Sequence, residues 1–222
     1  MTNFIFAKSP QLIPIPAYRF TNHGPEVLIL GGVHGDEYEG IVAAHGLLEA
    51  FLTSFPFKLN VTLVPTFNME GVFAKTRTNS RGVDLNRNLP TSDWNPLAPN
   101  PRYAPGPAAN SEPENQALVK FLKRYPPCLI VTLHSWFPLV NPYGDCMPEA
   151  ECISKWTGYK IEADIGYPTP GSLGNYGNEQ KIPVLTYEIQ RDSAPIDIIK
   201  LHVPALIESL KVTEKRHASR TN

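Results

Sequence analysis

Val-Leu-Ile-Leu-Gly-Gly-Val-His-Gly-Asp-Glu, residues 27–37, is the stretch from which the fold can be read. Val27–Leu30 is an unbroken apolar run, the mark of a strand buried on both faces. Gly31 and Gly32 end it and let the backbone turn tightly. Tyr38–Leu52 follows with Ile41, Ala44, Leu47, Leu48 and Phe51 at helical spacing, which predicts a helix.

The same alternation continues outward. Leu59–Val64 reads as a second strand, Cys128–Leu133 as a third that ends at His134, and Pro183–Tyr187 as a fourth that ends at Glu188. Helices are expected from Ser111-Glu112-Pro113-Glu114 to about Lys123, over Pro148–Trp156, and from Pro195 to about Lys211 with a break at Pro204. Apolar strands alternating with helices predict an α/β fold, a mostly parallel sheet with helices on both faces. Between Leu89 and Pro113 stand seven prolines, 90, 96, 99, 101, 105, 107 and 113, so this stretch is a loop, and one so long is usually functional or mobile.

The 222 residues suit one large catalytic domain over the whole chain, and 42 % hydrophobic residues supply its core. A formal net charge of −1, without a basic block, argues against nucleic-acid binding. The first residues lack a basic segment followed by a long apolar one, and no apolar run is long enough for a membrane span, so a cytoplasmic location is expected. Cys128, Cys146 and Cys152 are an odd number without CxxC spacing, which fits a reducing compartment. A homodimer is left open.

His34, His134 and Glu188 each fall at or just past a predicted strand's C-terminal end, where ligand sites of open α/β sheets collect. His34 and Glu37 stand three apart on a strand-to-helix turn and can reach one metal ion. His134 is a third candidate ligand, or else a core histidine satisfied by backbone. Within Gly82-Val83-Asp84-Leu85-Asn86-Arg87-Asn88, Asn86 and Arg87 can clamp a carboxylate. Arg77 or Arg81 can face a carbonyl oxygen that gains charge. Glu188 at an apolar strand end is tuned toward proton transfer, or else pairs with Arg191.

HGDE at 34–37, KTR at 75–77, GVDLNRN at 82–88, LHS at 133–135 and TYE at 186–188 together resemble the zinc carboxypeptidase family. The resemblance covers about residues 27–192 and implies an eight-stranded mixed sheet. It assigns His34, Glu37 and His134 to one Zn2+ per chain, Asn86 and Arg87 to the substrate's terminal carboxylate, Arg77 to the oxyanion and Glu188 to the general base. Ile-Gly-Tyr-Pro-Thr-Pro-Gly-Ser-Leu-Gly, residues 165–174, is similar to the murein peptide amidase branch, which cleaves between γ-D-glutamate and meso-diaminopimelate in a muropeptide fragment. That likeness implies a substrate role for Tyr167, which otherwise reads as an aromatic packed in a turn. It puts Leu173 in the leaving-side pocket; Asp164, Asn175 and Arg191, nearby in sequence, are candidate polar partners for the far end of diaminopimelate. Two rivals share these motifs: a zinc deacylase of the aspartoacylase and succinylglutamate desuccinylase type, and a peptide-binding module without turnover.

Overall fold

The computed structural model describes residues 1–98 and 100–218. The strands are β1 (Thr2–Lys8), β2 (Pro14–Phe20), β3 (Glu26–Gly31), β4 (Asn60–Val64), β5 (Leu129–Trp136), β6 (Leu139–Tyr143), β7 (Lys160–Ile161) and β8 (Val184–Gln190). The helices are α1 (Tyr38–Thr53), α2 (Met69–Ala74), α3 (Pro113–Arg124), α4 (Met147–Thr157), α5 (Leu173–Gln180) and α6 (Pro195–Ala218). Among the described residues all eight strands share one sheet, in the order β1-β2-β4-β3-β5-β8-β6-β7.

The four middle strands, β4, β3, β5 and β8, run parallel. The β1–β2 pair joins them antiparallel on one side, and antiparallel β6 joins on the other. Residues of α1, α4 and α6 pack on one face, against Ile29, Val131, Leu133 and Tyr187. Residues of α3 and α5 pack on the other, against Leu28, Leu30, Ile130 and Val184. Successive strand residues point to opposite faces, so His134 and Glu188 project on the α3 and α5 side.

α1 buries Ala44, Leu47, Leu48 and Phe51 of the expected stripe together with Ala43, while Ile41 is only half-buried. Its first turn is pressed against the sheet. A Cβ on Gly40 would stand 2.4 Å from the Leu133 carbonyl oxygen, so only glycine permits this approach. That contact brings Glu37, just ahead of the helix, beside His134.

Three expectations need correction. β5 and β8 run to Trp136 and Gln190, so His134 and Glu188 lie inside their strands, paired in register, and not at the ends. α6 does not break at Pro204: Ile198 before it and Val203, Leu206 and Leu210 around it are buried in the same layer, which holds both halves in line despite the lost hydrogen bond. β1, β2, β6 and β7 gave no local signal. Pro14 and Pro16 disguise β2, but β4 pairs only with Tyr18–Phe20, so these prolines lie where a missing N–H is tolerated.

Candidate metal centre and cleft

The C-terminal ends of β3, β5 and β8 open into a cavity of about 530 Å³. His34, Glu37, Arg77, Asn86, Arg87, His134, Tyr167, Glu188 and Arg191 all line it. Residues scattered across the sequence thus meet where the topology predicts.

His34, Glu37 and His134 are buried, and one donor atom from each lies within 4.8 Å of the others. The two Nδ1 atoms face each other at 3.1 Å, and the Glu37 carboxylate sits 2.9 Å from one and 2.8 Å from the other. Behind the rings, His34 Nε2 lies 3.0 Å from Asp84 Oδ1, and His134 Nε2 lies 2.9 Å from Thr132 Oγ1. A histidine whose outer nitrogen is engaged turns its other nitrogen inward as a lone pair. Two such lone pairs beside a carboxylate repel one another unless a cation lies among them. The donor set therefore fits a divalent metal, with two imidazoles and one carboxylate in the pattern zinc takes.

Burial and the Arg77 charge oppose protonation of His34, yet Glu37 and Asp84 outweigh them and raise its pKa. Burial likewise works to raise Glu37, but the two histidines hold it well below the usual carboxylate range. Glu188 differs. Burial pushes it up to about 7; His134 opposes this, Glu37 reinforces it, and Arg77 and Arg191 oppose it. Its Oε2 has no partner among the described residues. A carboxyl group poised near neutrality with a free oxygen is equipped to accept and return a proton.

Arg77 lines the cleft, with Nε 2.8 Å from Asp84 and Nη1 3.2 Å from Glu37. Arg81 lies 3.7 Å from Glu112, is 54 % exposed and does not line the cavity. Arg87 is buried beneath the Tyr103 ring, and its Nη1 donates to the Asn86 carbonyl. Asn86 Oδ1 accepts the Leu173 N–H at 2.8 Å. A Cβ on Gly171 would stand 2.1 Å from the Arg87 carbonyl oxygen, so that glycine lets the 165–174 stretch dock on the Asn-Arg turn.

Leu173 itself is a correction. As the first residue of α5 it turns into the core and is 4 % exposed, while its neighbours Ser172 and Gly174 line the cleft. Asp164 and Asn175 do not line it either: Asp164 accepts the Gly166 N–H, and Asn175 ties Asp93 to Thr169. Arg191 does line it. Tyr167 lines the cleft too, 45 % exposed with its ring edge-on to Trp136. The proline-rich stretch forms a wall through Asn95, Leu97, Arg102, Tyr103 and Pro105, while Pro99 lies outside the described residues. Sequence reasoning missed Asp84 and Thr132, which brace the two histidines, and Asn141 and Tyr143 in the floor. Asp84 stands inside the GVDLNRN motif and could have been found there; Thr132 sits in an apolar run with no local sign.

A paired-imidazole and carboxylate centre at the strand ends of an open α/β sheet, with a free carboxyl group beside it, defines a metal-dependent hydrolase. The comparison of families carries this further, because residues 4–181 match the zinc carboxypeptidase family, and the chain belongs to it. The chain is 31 % identical over 200 residues to murein peptide amidase A of Vibrio campbellii (strain ATCC BAA-1116), covering 83 % of this chain and 77 % of that protein. The crystal structure of a murein-tripeptide amidase from Escherichia coli O157 superposes with a TM-score of 0.77 at 22 % identity over 93 % of this chain and 90 % of that one, a likeness of fold. A shorter similarity, 38 % over 80 residues, covering 36 % of this chain and 23 % of that protein, links it to N-alpha-acetyl-L-2,4-diaminobutyric acid deacetylase of Halomonas elongata (strain ATCC 33173 / DSM 2581 / NBRC 15536 / NCIMB 2198 / 1H9).

Proposed function

We propose that this enzyme is a zinc amidase that cuts a peptide bond whose leaving side carries a free carboxylate, with γ-D-glutamyl–meso-diaminopimelate in a muropeptide fragment as its substrate. The observation that carries the reading is that Arg87, with no ion pair among the described residues, opens on the same cavity as the His34–Glu37–His134 set and Glu188. Bound there, one zinc ion per chain would polarise the scissile carbonyl and make water a better nucleophile. Glu188 takes a proton from the attacking water and passes it to the leaving amine. Asn86 and Arg87 grip the terminal carboxylate, and the outer Nη2 of Arg77 faces the oxygen that gains charge.

The diaminopimelate part draws on the murein peptide amidase relative and on the cleft floor. Asn141, Tyr143 and Thr186 line that floor between β6, β8 and α5, polar and uncharged. A lone ammonium there would lack a counter-charge. The far end of diaminopimelate brings an amine and a carboxylate together and is neutral as a whole. The three free cysteines support a reducing compartment, the cytoplasm. No helix among the described residues is long and apolar enough to cross a membrane.

The test compares L-Ala-γ-D-Glu-meso-diaminopimelate, the same peptide ending in L-Lys, and an α-linked peptide ending in Phe, each with and without chelator. The first should be cut fastest, and only with metal. The similarity to the diaminobutyrate deacetylase supports a second reading, a zinc deacylase. Turnover of N-acetyl amino acids above all three peptides would favour it.

A further inference from the structure

The chemistry above leaves two cleft arginines unused, Arg102 and Arg191. Of the four that line the cavity, Arg77 is held by Asp84 and Glu37, and Arg102 by Asp36 at 2.6 Å. The nearest carboxylate oxygen to Arg191 is Glu37 Oε1 at 3.8 Å, beyond hydrogen-bonding reach and already shared by His34 and Arg77. Its Nη2 donates to the Ser135 carbonyl at 3.1 Å, and its side chain is 36 % exposed to the cleft. Among the described residues Arg87 makes no ion pair and Arg191 only the loose 3.8 Å one with Glu37, so these two cleft arginines are the least tied to an acid.

They are anchored on opposite faces of the sheet. Arg87 is docked to the α5 side through the Asn86–Leu173 and Gly171–Leu89 hydrogen bonds. Arg191 belongs to the turn after β8, where Asp192 donates its N–H to Glu39 of α1 at 2.6 Å and Ser193 accepts the Tyr38 hydroxyl at 2.6 Å. α1 packs on the face opposite α5. The centre lies between them: Glu37 is the residue before α1, and Glu188 stands three positions before Arg191. A substrate that fixes its leaving-side carboxylate on Arg87 and its scissile bond over Glu188 therefore carries its acyl part toward Arg191.

We propose that Arg191 reads a second carboxylate, on the acyl side of the scissile bond. A γ-linked glutamyl unit has that group, because its α-carboxyl is not used in the bond; an α-linked peptide has an amide nitrogen there, and an amidated unit has a carboxamide. The planar guanidinium fork matches a carboxylate with two parallel hydrogen bonds and gains far less from a carboxamide, whose nitrogen only donates. The inference rests on the substrate reading above and adds that the enzyme discriminates acidic from amidated wall fragments.

The experiment measures kcat/KM on L-Ala-γ-D-Glu-meso-diaminopimelate and on the same peptide with the glutamyl α-carboxyl amidated, for the zinc-loaded wild type, Arg191→Gln and Arg191→Lys. The wild type should prefer the acid by about tenfold or more, the scale of a hydrogen bond to a charged group. Arg191→Gln should shrink the ratio to within about twofold, and Arg191→Lys, which keeps charge without the fork, should fall between. Were Arg191 only a brace for the Ser135 strand end, both substrates would slow together and the ratio would persist, which overturns the proposal, as does a wild type without preference. Arg191→Lys keeps the question open to measurement if the Gln variant melts early. Failure of the wild type to cut either peptide while it cuts an α-linked Phe peptide is a separate result, which removes the substrate reading and this inference with it.

Discussion

Glu188 and Glu114 are two carboxyl groups that burial pushes up to about 7, and they are not doing the same thing. Each keeps an Oε2 without a partner among the described residues. Glu188 lines the cleft beside His134, Glu37 and the arginines, where its carboxyl group borders whatever enters. Glu114, at the start of α3, is 0 % exposed and crowded by Glu112 and Glu70, which raise it further, while Asn79 reaches it only at 3.5 Å. A raised carboxyl group alone does not mark a catalytic site. The cavity and the donor set make the difference, and without them the same shift is a cost in stability.

The comparison can be broken by substitution. The largest effect is expected of His134→Ala, which removes an inward donor: zinc content per chain should drop toward zero and hydrolysis with it, read by elemental analysis and assay on the same sample. Full metal occupancy in that variant would contradict the ligand assignment. Glu188→Gln keeps the shape of the side chain but cannot take a proton. Its kcat should fall by roughly 10²–10⁴-fold with zinc still bound and little change in thermal stability. Arg87→Ala should lower kcat/KM by roughly 100-fold on a substrate with a free terminal carboxylate, from loss of charge-assisted hydrogen bonds. Its rate on the corresponding amide should drop much less, and equal losses would refute the carboxylate role.

Glu114→Gln should leave kcat/KM within about twofold and act on folding alone. The folded-state pKa of Glu114 lies above its ordinary 4.5, so its contribution is most favourable below about 4.5 and is lost as pH rises through about 7. Ionising it in place costs roughly 3–4 kcal/mol, counted at about 1.4 kcal/mol per pKa unit. The variant should match the wild type in denaturant midpoint at pH 4.5 and exceed it at pH 8. A midpoint difference independent of pH would show that Glu114 titrates in the folded protein as it does in the unfolded chain, and would refute the raised pKa.

Reading the chain in order recovered the parts whose signals are local. β3, β4, β5 and β8 are apolar runs in one dimension, α1 carries its stripe every three to four residues, and His34, Glu37, His134, Asn86, Arg87 and Glu188 stand in compact motifs. Elements defined by their neighbours stayed hidden. β2 is a strand because β1 and β4 pair with it, and β7 is two residues held by β6.

Sequence by itself determined which chemistry this protein owns, because imidazoles, carboxyl groups and guanidiniums are covalent facts and the strand-to-helix turns that present them are short-range. Tertiary structure alone decided their roles. Leu173 and Gly174 are adjacent in the chain, yet the roughly 100° between successive helical residues sends the first into the core and the second to the cleft wall. Arg77 and Arg81 differ by four positions, and only folding puts the first beside Asp84 and Glu37 and the second in solvent. The physical reason is the same in each case: burial, pairing and pKa depend on what approaches from distant parts of the chain, and that is set by packing of the sheet and its two helical layers, not by any local pattern.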